Sequence, residues 1–248
     1  MKRTLLILLY LIPAFIFSQT TYEKVLGLGG TTSYGRNICK KANGHLLIAV
    51  SSTSYTPQDM SAIMELDQNG DTVWVSRLKR NSGLDIDFIK ERPDGKIVIA
   101  GATGGGAYKY GWIGLATATG SITTTLYFNN GNYPSRISDL EIGPDNSIYF
   151  GAHISDVYSG GSTFHRWFIP IVVKVNTTCS SVLWCKTYGQ HDVVTRRSGF
   201  ACDLEMAPDG NLIVSGIYNH RNNSFSGGTG PVNGYAYLAK YNSGTGAS

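Results

Sequence analysis

Four runs of consecutive apolar residues recur along the chain, each entered through the same polar turn phrase. Leu46-Leu47-Ile48-Ala49-Val50 follows Ala42-Asn43-Gly44, and Ile97-Val98-Ile99-Ala100-Gly101 follows Pro93-Asp94-Gly95. Ile148-Tyr149-Phe150-Gly151-Ala152 follows Pro144-Asp145-Asn146, and Leu212-Ile213-Val214-Ser215-Gly216 follows Pro208-Asp209-Gly210. Unbroken apolar runs of this length, bounded by turn residues, predict strands buried on both faces. A shorter strand of alternating character precedes each turn, so the Asn-Gly and Asp-Gly pairs predict hairpins that need positive φ at the turn.

A third strand is expected in each unit after a polar, Gly-rich connection, at Ala62–Leu66, Trp112–Ala116, Ile171–Val175 and Ala236–Tyr241. A fourth follows at Thr72–Ser76, Ile122–Leu126 and Val182–Lys186. The turns recur at intervals of 51, 51 and 64 residues, so the third unit has gained a long loop. Four hairpin-linked strands repeated at such a period describe the blade of an all-β propeller. Blades are expected over about 36–78, 85–128, 137–187 and 200–248, the last lacking its fourth strand. Residues 21–27, with Tyr22-Glu23-Lys24-Val25-Leu26-Gly27, resemble the end of a fourth strand such as Trp184-Cys185-Lys186-Thr187-Tyr188-Gly189. A terminus that completes the incomplete blade removes its open edge. Two readings follow: a four-bladed ring closed by that segment, or part of a larger propeller, and the second is preferred.

The chain opens with Lys2 and Arg3, an apolar stretch from Leu5 to Phe17, then Ser18 and Gln19. That is the layout of a cleaved signal peptide over 1–18, leaving 19–248 as the repeat region. The stretch is shorter than the roughly 20 residues of a spanning helix and contains Pro13, so no membrane span is expected after its removal. The protein is expected to be secreted or held at the cell surface.

Composition narrows the partners. The formal charge of +4 becomes +2 once Lys2 and Arg3 leave, and the basic residues form no stripe beyond Arg196-Arg197. The electrostatic footprint of a nucleic-acid binder is missing. With 30 Gly and 15 Tyr against 15% charged residues, the chain has the profile of Gly-turned, aromatic-rich β-structure. Cys39, Cys179, Cys185 and Cys202 match no zinc spacing. An exported chain permits disulfides, and Cys179 and Cys185, flanking one tight turn, are the candidate pair.

The phrase Asp203-Leu204-Glu205-Met206-Ala207-Pro208-Asp209-Gly210-Asn211-Leu212-Ile213-Val214-Ser215-Gly216, the Tyr-Leu-Ala-Lys-Tyr strand after it, and Leu183-Trp184-Cys185-Lys186-Thr187-Tyr188-Gly189 carry a resemblance. They are similar to the SBBP-type β-propeller repeats of bacterial secreted and surface proteins, over nearly all of the mature chain. The resemblance implies the fold and export, often with a C-terminal sorting domain, and implies no shared catalytic residues. The second unit departs from the pattern, with Thr123-Thr124-Thr125 where its neighbours carry Trp.

Several motifs that suggest chemistry have a simpler reading. Asp67-Gln68-Asn69-Gly70-Asp71 opens like a calcium loop but has Thr72 and Leu78 where the Gly and the distal Glu belong, so it reads as a hairpin turn. Asp94, Asp145 and Asp209 occupy equivalent turns of successive blades, which makes them turn residues rather than paired catalytic acids. Gly27-Leu28-Gly29-Gly30 and Gly101-Ala102-Thr103-Gly104-Gly105-Gly106 open no helix and lack the Lys-Ser/Thr pair of a phosphate loop. No metal, cofactor or catalytic set is expected.

The connections between second and third strands are the stronger lead. The third holds Tyr158, Phe164, His165, Arg166 and Trp167; the fourth holds Tyr218, His220 and Arg221. Blade geometry puts them on one face with the inter-blade connections, which carry His191 and Arg196. Tyr, Trp and Arg dominate interfaces, so this loop face is the expected binding surface for a protein or glycan. The expected function is a non-catalytic binding or adhesion module. Two alternatives stay open: a hydrolase or lyase using His165 or His191 beside Asp192 or Arg166, and a structural spacer in a larger surface protein.

Overall fold

Each turn phrase closes its hairpin through a single left-handed residue. In a computed structural model of the chain, Gly44, Gly95, Asn146 and Gly210 have φ of 85°, 77°, 62° and 77°. The amide of each donates to the carbonyl three residues back, as Gly44 does to Lys41 at 2.9 Å, and the strands rejoin one residue later, where Lys41 donates to His45 at 2.8 Å. This is a three-residue loop, a type I turn closed by a left-handed residue, so positive φ is needed once per turn rather than twice. The preceding Asn or Asp holds the bend, as Asn43, Asp94, Asp145 and Asp209 accept from the amides of His45, Lys96, Ser147 and Asn211. The turn role expected of these acids is the one observed.

The structure describes residues 33–52, 61–78, 84–103, 110–128, 135–160, 163–187, 197–221 and 235–248; the expected signal segment 1–18 and closing strand 21–27 lie outside them. The first blade is β1 (Ser33–Lys40), β2 (Leu46–Ser52), β3 (Ser61–Leu66) and β4 (Thr72–Leu78). The second is β5 (Leu84–Glu91), β6 (Ile97–Thr103), β7 (Tyr110–Ala116) and β8 (Ile122–Phe128). The third is β9 (Ser135–Ile142), β10 (Ile148–Gly160), β11 (Thr163–Val175) and β12 (Val182–Thr187). The fourth is β13 (Arg197–Met206), β14 (Leu212–Arg221) and β15 (Tyr235–Tyr241). Each sheet is antiparallel with its strands in sequence order, and β15 has no fourth strand beside it among the described residues. The first strands of neighbouring blades touch one another, and the fourth strands are the exposed ones, so the sheets are arranged as propeller blades with β1, β5, β9 and β13 innermost.

Three apolar cores lie between the blades. Leu47, Ala49 and Ile63 of the first meet Ile86, Ile89, Ile97, Ile99 and Trp112 of the second. Val98, Ala100, Ile113 and Leu115, on the other face of the second blade, meet Leu140, Ile148, Phe150 and Val173 of the third. Tyr149 and Val172 then meet Leu204, Leu212, Val214 and Tyr241 of the fourth. Successive residues of a strand point to opposite faces, so the run Ile97–Ala100 feeds two cores at once. That is why it is apolar without a break. In the fourth blade only alternate residues are covered: Leu212 and Val214 are buried while Ile213 and Ser215 are half-exposed.

A bulge recurs in every first strand, leaving Arg36, Asp87, Ser138 and Cys202 unpaired in the register with the second strand. A bulge bends its strand and re-aims the next side chain. After the bulge, Asn37 Oδ1 accepts from the amide of Ile89 in the next blade at 3.2 Å, and Asp139 Oδ2 accepts from that of Leu204 at 2.7 Å. In the second blade the position is Phe88, which packs into the core instead.

Candidate functional site

Up-and-down strand order gives each blade two unlike ends. One carries all the tight turns, between first and second and between third and fourth strands; the other carries the second-to-third connections and the links between blades. The tight-turn end repeats nearly unchanged. At the other end the third blade is built outward: β9 reaches only Ile154 of β10, and β12 reaches only Ile171 of β11. Beyond them, among the described residues, β10 and β11 continue as a two-stranded ribbon, paired from Ser155 with Phe168 to Gly160 with Thr163.

The sequence-predicted site residues divide over this end. Tyr158, Phe164, His165, Arg166 and Trp167 lie on the ribbon, where the register sets Tyr158 opposite His165, Val157 opposite Arg166, Ser159 opposite Phe164 and Asp156 opposite Trp167. The long loop expected there is therefore a β-ribbon. Its backbone groups are satisfied by cross-strand pairing, which a loop of that length must otherwise find in solvent. Tyr218, His220 and Arg221 lie on β14, opposite Tyr235, Ser198 and Arg197. His191 and Arg196 lie outside the described residues.

At the ribbon's base, His153 is half-buried on β10, and burial together with nearby Arg136 pushes its imidazole down to about 4, so it is neutral at pH 7. Further inward Asp139 shares a hydrogen bond with Asp203 of the next blade, and its carboxyl is pushed up to about 6, chiefly by burial. The Leu204 amide that donates to it works in the opposite direction. The pair joins the inner strands of two blades.

The tight-turn end holds the most deeply buried charges. Glu65, buried on β3, receives His45 Nδ1 on Oε1 at 2.6 Å, and Lys41 Nζ at 2.8 Å and Trp74 Nε1 at 2.7 Å on Oε2. Burial alone raises such a carboxyl, but these three bonds overrule it and hold Glu65 below its ordinary range. Both carboxylate oxygens are engaged, so the group is committed to structure. The third blade has Lys174 in place of Glu65: its ammonium lies 5.2 Å from the Tyr149 ring centre and donates to Ser243 O at 2.9 Å. That same carbonyl accepts from Tyr149 Oη at 3.2 Å and Trp184 Nε1 at 3.4 Å, fixing the last turn of the fourth blade onto the third. The Asp67 carboxylate of the calcium-like motif accepts from the amides of Asn69 and Asp71, as a turn residue does.

The cysteine pair does not form: Cys179 and Cys185 are free thiols, as is Cys39. Cys179 occupies the left-handed position of its turn, with φ 55°, and its Sγ lies 3.7 Å from Ile113 O of the second blade. Burial in that core pushes its thiol up to about 12, while Cys185 sits exposed on the outer strand β12. Among the described residues no group of three His, Cys, Asp or Glu converges to hold a metal ion, and no helix is long and apolar enough to cross a membrane.

No protein-family model matches the chain, and no curated protein sequence does. Solved structures similar to it include the mannose phosphorylase MPT-4 of Leishmania mexicana in complex with phosphate, at 11% identity, covering 72% of this chain and 62% of that one, with a TM-score of 0.44. A hypothetical protein from Leishmania major shares 10% identity over 72% of this chain and 61% of its own, with a TM-score of 0.42. The family 93 α-L-arabinofuranosidase of Fusarium graminearum, in complex with arabinobiose, shares 10% over 87% and 65%, with a TM-score of 0.46. The chain spans less than two thirds of the length of each. At this distance the likeness carries no inference about chemistry. The propeller assignment rests on the strand order, the recurrent bulge and the inter-blade cores.

Sequence reasoning passed over the Lys41–Glu65–His45 cluster and the Asp139–Asp203 pair. The signal for the first was a single charge inside an otherwise apolar third strand, Glu65 in Ala62–Leu66 and Lys174 in Ile171–Val175. The signal for the second was the equivalence of Asn37, Phe88, Asp139 and Asp203, which emerges only once the bulge sets the register.

Proposed function

We propose that this chain is an exported β-propeller of the SBBP-like type that acts at or outside the cell surface as a non-catalytic binding module, taking a protein or glycan on its second-to-third-strand end. The observation that carries the reading is the β10–β11 ribbon. The four-stranded pairing of the third blade is complete without these pairs, so they extend the blade beyond what its sheet requires. The segment is rich in residues suited to contact, with Tyr158, Phe164, His165, Arg166 and Trp167 within ten positions of one another. Projecting segments positioned by a rigid scaffold are where binding residues concentrate. Export is supported by the basic, apolar and small-residue layout of residues 1–18.

The test compares the wild type with a variant in which residues 155–168 are replaced by a two-residue turn, both probed on glycan and protein arrays. The reading expects a ligand for the wild type and its loss in the variant, with far-UV circular dichroism and melting temperature retained. A folded wild type that binds nothing, or a variant that binds equally well, overturns it.

A further inference from the structure

The first blade is buried on a face that no described blade covers. Val50, Ala62 and Met64 form a cluster drawn from β2 and β3 alone, exposed by 6%, 0% and 4%, and Leu66 on the same face is 2% exposed. Ile38 of β1 shares that face through its register with Ile48 and Met64, yet is 59% exposed. The cover therefore lies over β2 and β3 and stops short of the innermost strand, as one added strand does and a whole blade does not. At the first and third joints the outermost strand of the preceding blade seats on the left-handed glycine of the next third-to-fourth-strand turn. A Cβ at Gly120 meets Trp74 and Ser76, and one at Gly246 meets Trp184 and Lys186. Gly70 holds that place in the first blade: its φ is 77° and it is buried.

One phrase outside the described residues matches such a strand. Tyr22 and Leu26 repeat the spacing of Trp74 and Leu78, which both pack into the core between the first and second blades. Lys24 stands where the third blade has Lys186. Tyr22 precedes the bulge residue Arg36 by 14 positions, as Thr124 precedes Ser138 by 14 and Trp74 precedes Asp87 by 13. We infer that residues 22–26 are the strand that covers the first blade, with Tyr22 on Gly70 as Trp74 is on Gly120, and Leu26 toward Ala62 and Met64. An aromatic ring against a residue without Cβ then closes this turn as it closes the others. The segment that follows the expected leader is thereby part of the propeller and not a tail.

The experiment is peroxide footprinting of the wild type, Tyr22→Asp and Leu26→Asp across a concentration series, with methionine oxidation read by peptide mass. Met64 is expected to be protected in the wild type and to oxidise roughly tenfold faster in each variant, because a charge at either position lifts the strand from the apolar face. Met206, in the fourth blade, reports general loss of fold and is expected to react at one rate in all three proteins. The second measurement is urea unfolding of Tyr22→Ala, Gly70→Ala and the double variant. Gly70→Ala drives a methyl group into the ring, so the double variant should fold at least about fivefold more favourably than the product of the single effects. Met64 protection that survives both aspartates points to another segment of the chain as the cover, and protection that fades on dilution of the wild type points to a second copy; either overturns the inference. So does acceleration of Met206 equal to that of Met64, or a pair of alanine effects that multiply without coupling.

Discussion

Asp139 and Asn37 occupy one structural position with different chemistry, and the difference predicts a pH effect. Both accept from a backbone amide of the next blade, but Asp139 also faces Asp203, and burial raises its carboxyl from 3.8 to about 6. An acid whose folded pKa is raised binds more protons in the native state, so its contribution is full below about pH 4 and is lost as pH rises through about 6. His153 acts in the opposite sense: its folded value, lowered from 6.5 to about 4, means stability is lost as pH falls across that window. The two slopes partly cancel in the wild type. Asp139→Asn keeps the acceptor for Leu204 and supplies a donor toward Asp203, as expected from the Asn at position 37. It should stabilise the protein at pH 7 by about 1 kcal/mol, discounted for partial exposure, or about 2–4 °C in Tm. The gain should vanish near pH 4. Thermal melts of both proteins from pH 4 to 8 check it, and a constant offset at all pH values would contradict the assignment.

Cys179 shows what a residue's name conceals without its register. The left-handed position in the other third-to-fourth-strand turns is glycine, and a Cβ at Gly120 or Gly246 meets Trp74 or Trp184 of the preceding blade at 2.5 and 2.9 Å. In the second blade the Trp position is Thr124, and the turn that docks there carries Cys179. A bulky ring against a bare backbone is thus exchanged for a small side chain against a thiol. Transplanting the exchange gives a double-mutant cycle in the third-to-fourth joint. Trp184→Thr and Gly246→Cys should each cost about 2–3 kcal/mol, the first by a cavity and the second by a clash at positive φ. Together they should cost at least about 1 kcal/mol less than their sum. Urea unfolding of the four proteins measures the coupling, and strict additivity would dissociate the two sites.

At the scale of elements, strands and turns were legible because each is dictated locally: a left-handed residue where the turn needs one, and an apolar run where two cores need filling. Glu65 illustrates the limit. A lone acid in an apolar strand is intelligible only when Lys41 and His45, from the β1–β2 turn, and Trp74, from β4, are brought to it. Glu65→Leu removes the acceptor and leaves Lys41 buried with the more distant Glu91, 3.8 Å away. The expected loss is about 3 kcal/mol, and the double variant Lys41→Met/Glu65→Leu should lose less, since no charge is then left unpaired. Denaturant unfolding at pH 7 compares them. Because Glu65 is held below its ordinary range, chiefly by its bonds to Lys41 and His45 acting against burial, the wild-type advantage should be retained at neutral pH and shrink in acid as the carboxylate takes up its proton. The β10–β11 ribbon was not legible as strand. Its residues, from Ser155-Asp156-Val157-Tyr158 to Thr163-Phe164-His165-Arg166, mix polar, aromatic and apolar types without the apolar periodicity by which strands are recognised.

At the scale of the molecule, protection should follow coverage. The second blade has a blade on each side, and the run Ile97–Ala100 is fully buried; in the fourth blade Ile213 and Ser215 stay half-exposed. Hydrogen exchange should therefore be slowest in β6, and faster in β14 and β15 by at least about 1 kcal/mol of opening free energy. Uniform protection across the blades would show that coverage is not what limits opening.

The sequence by itself determined the blade: its period, its hairpins, the acids that hold its turns and its doubly apolar second strand, because each follows from backbone geometry and the face a residue must show. Tertiary structure alone decided what the blades do to one another. It placed Asp139 against Asp203, gave Cys179 to a neighbouring core instead of a disulfide, drew the third connection into a ribbon, and left Ile38 and Leu238 uncovered. The reason is that these are contacts between residues distant in the chain. Turn chemistry and strand period act within a few residues, whereas burial and pairing across a joint depend on which blade comes next.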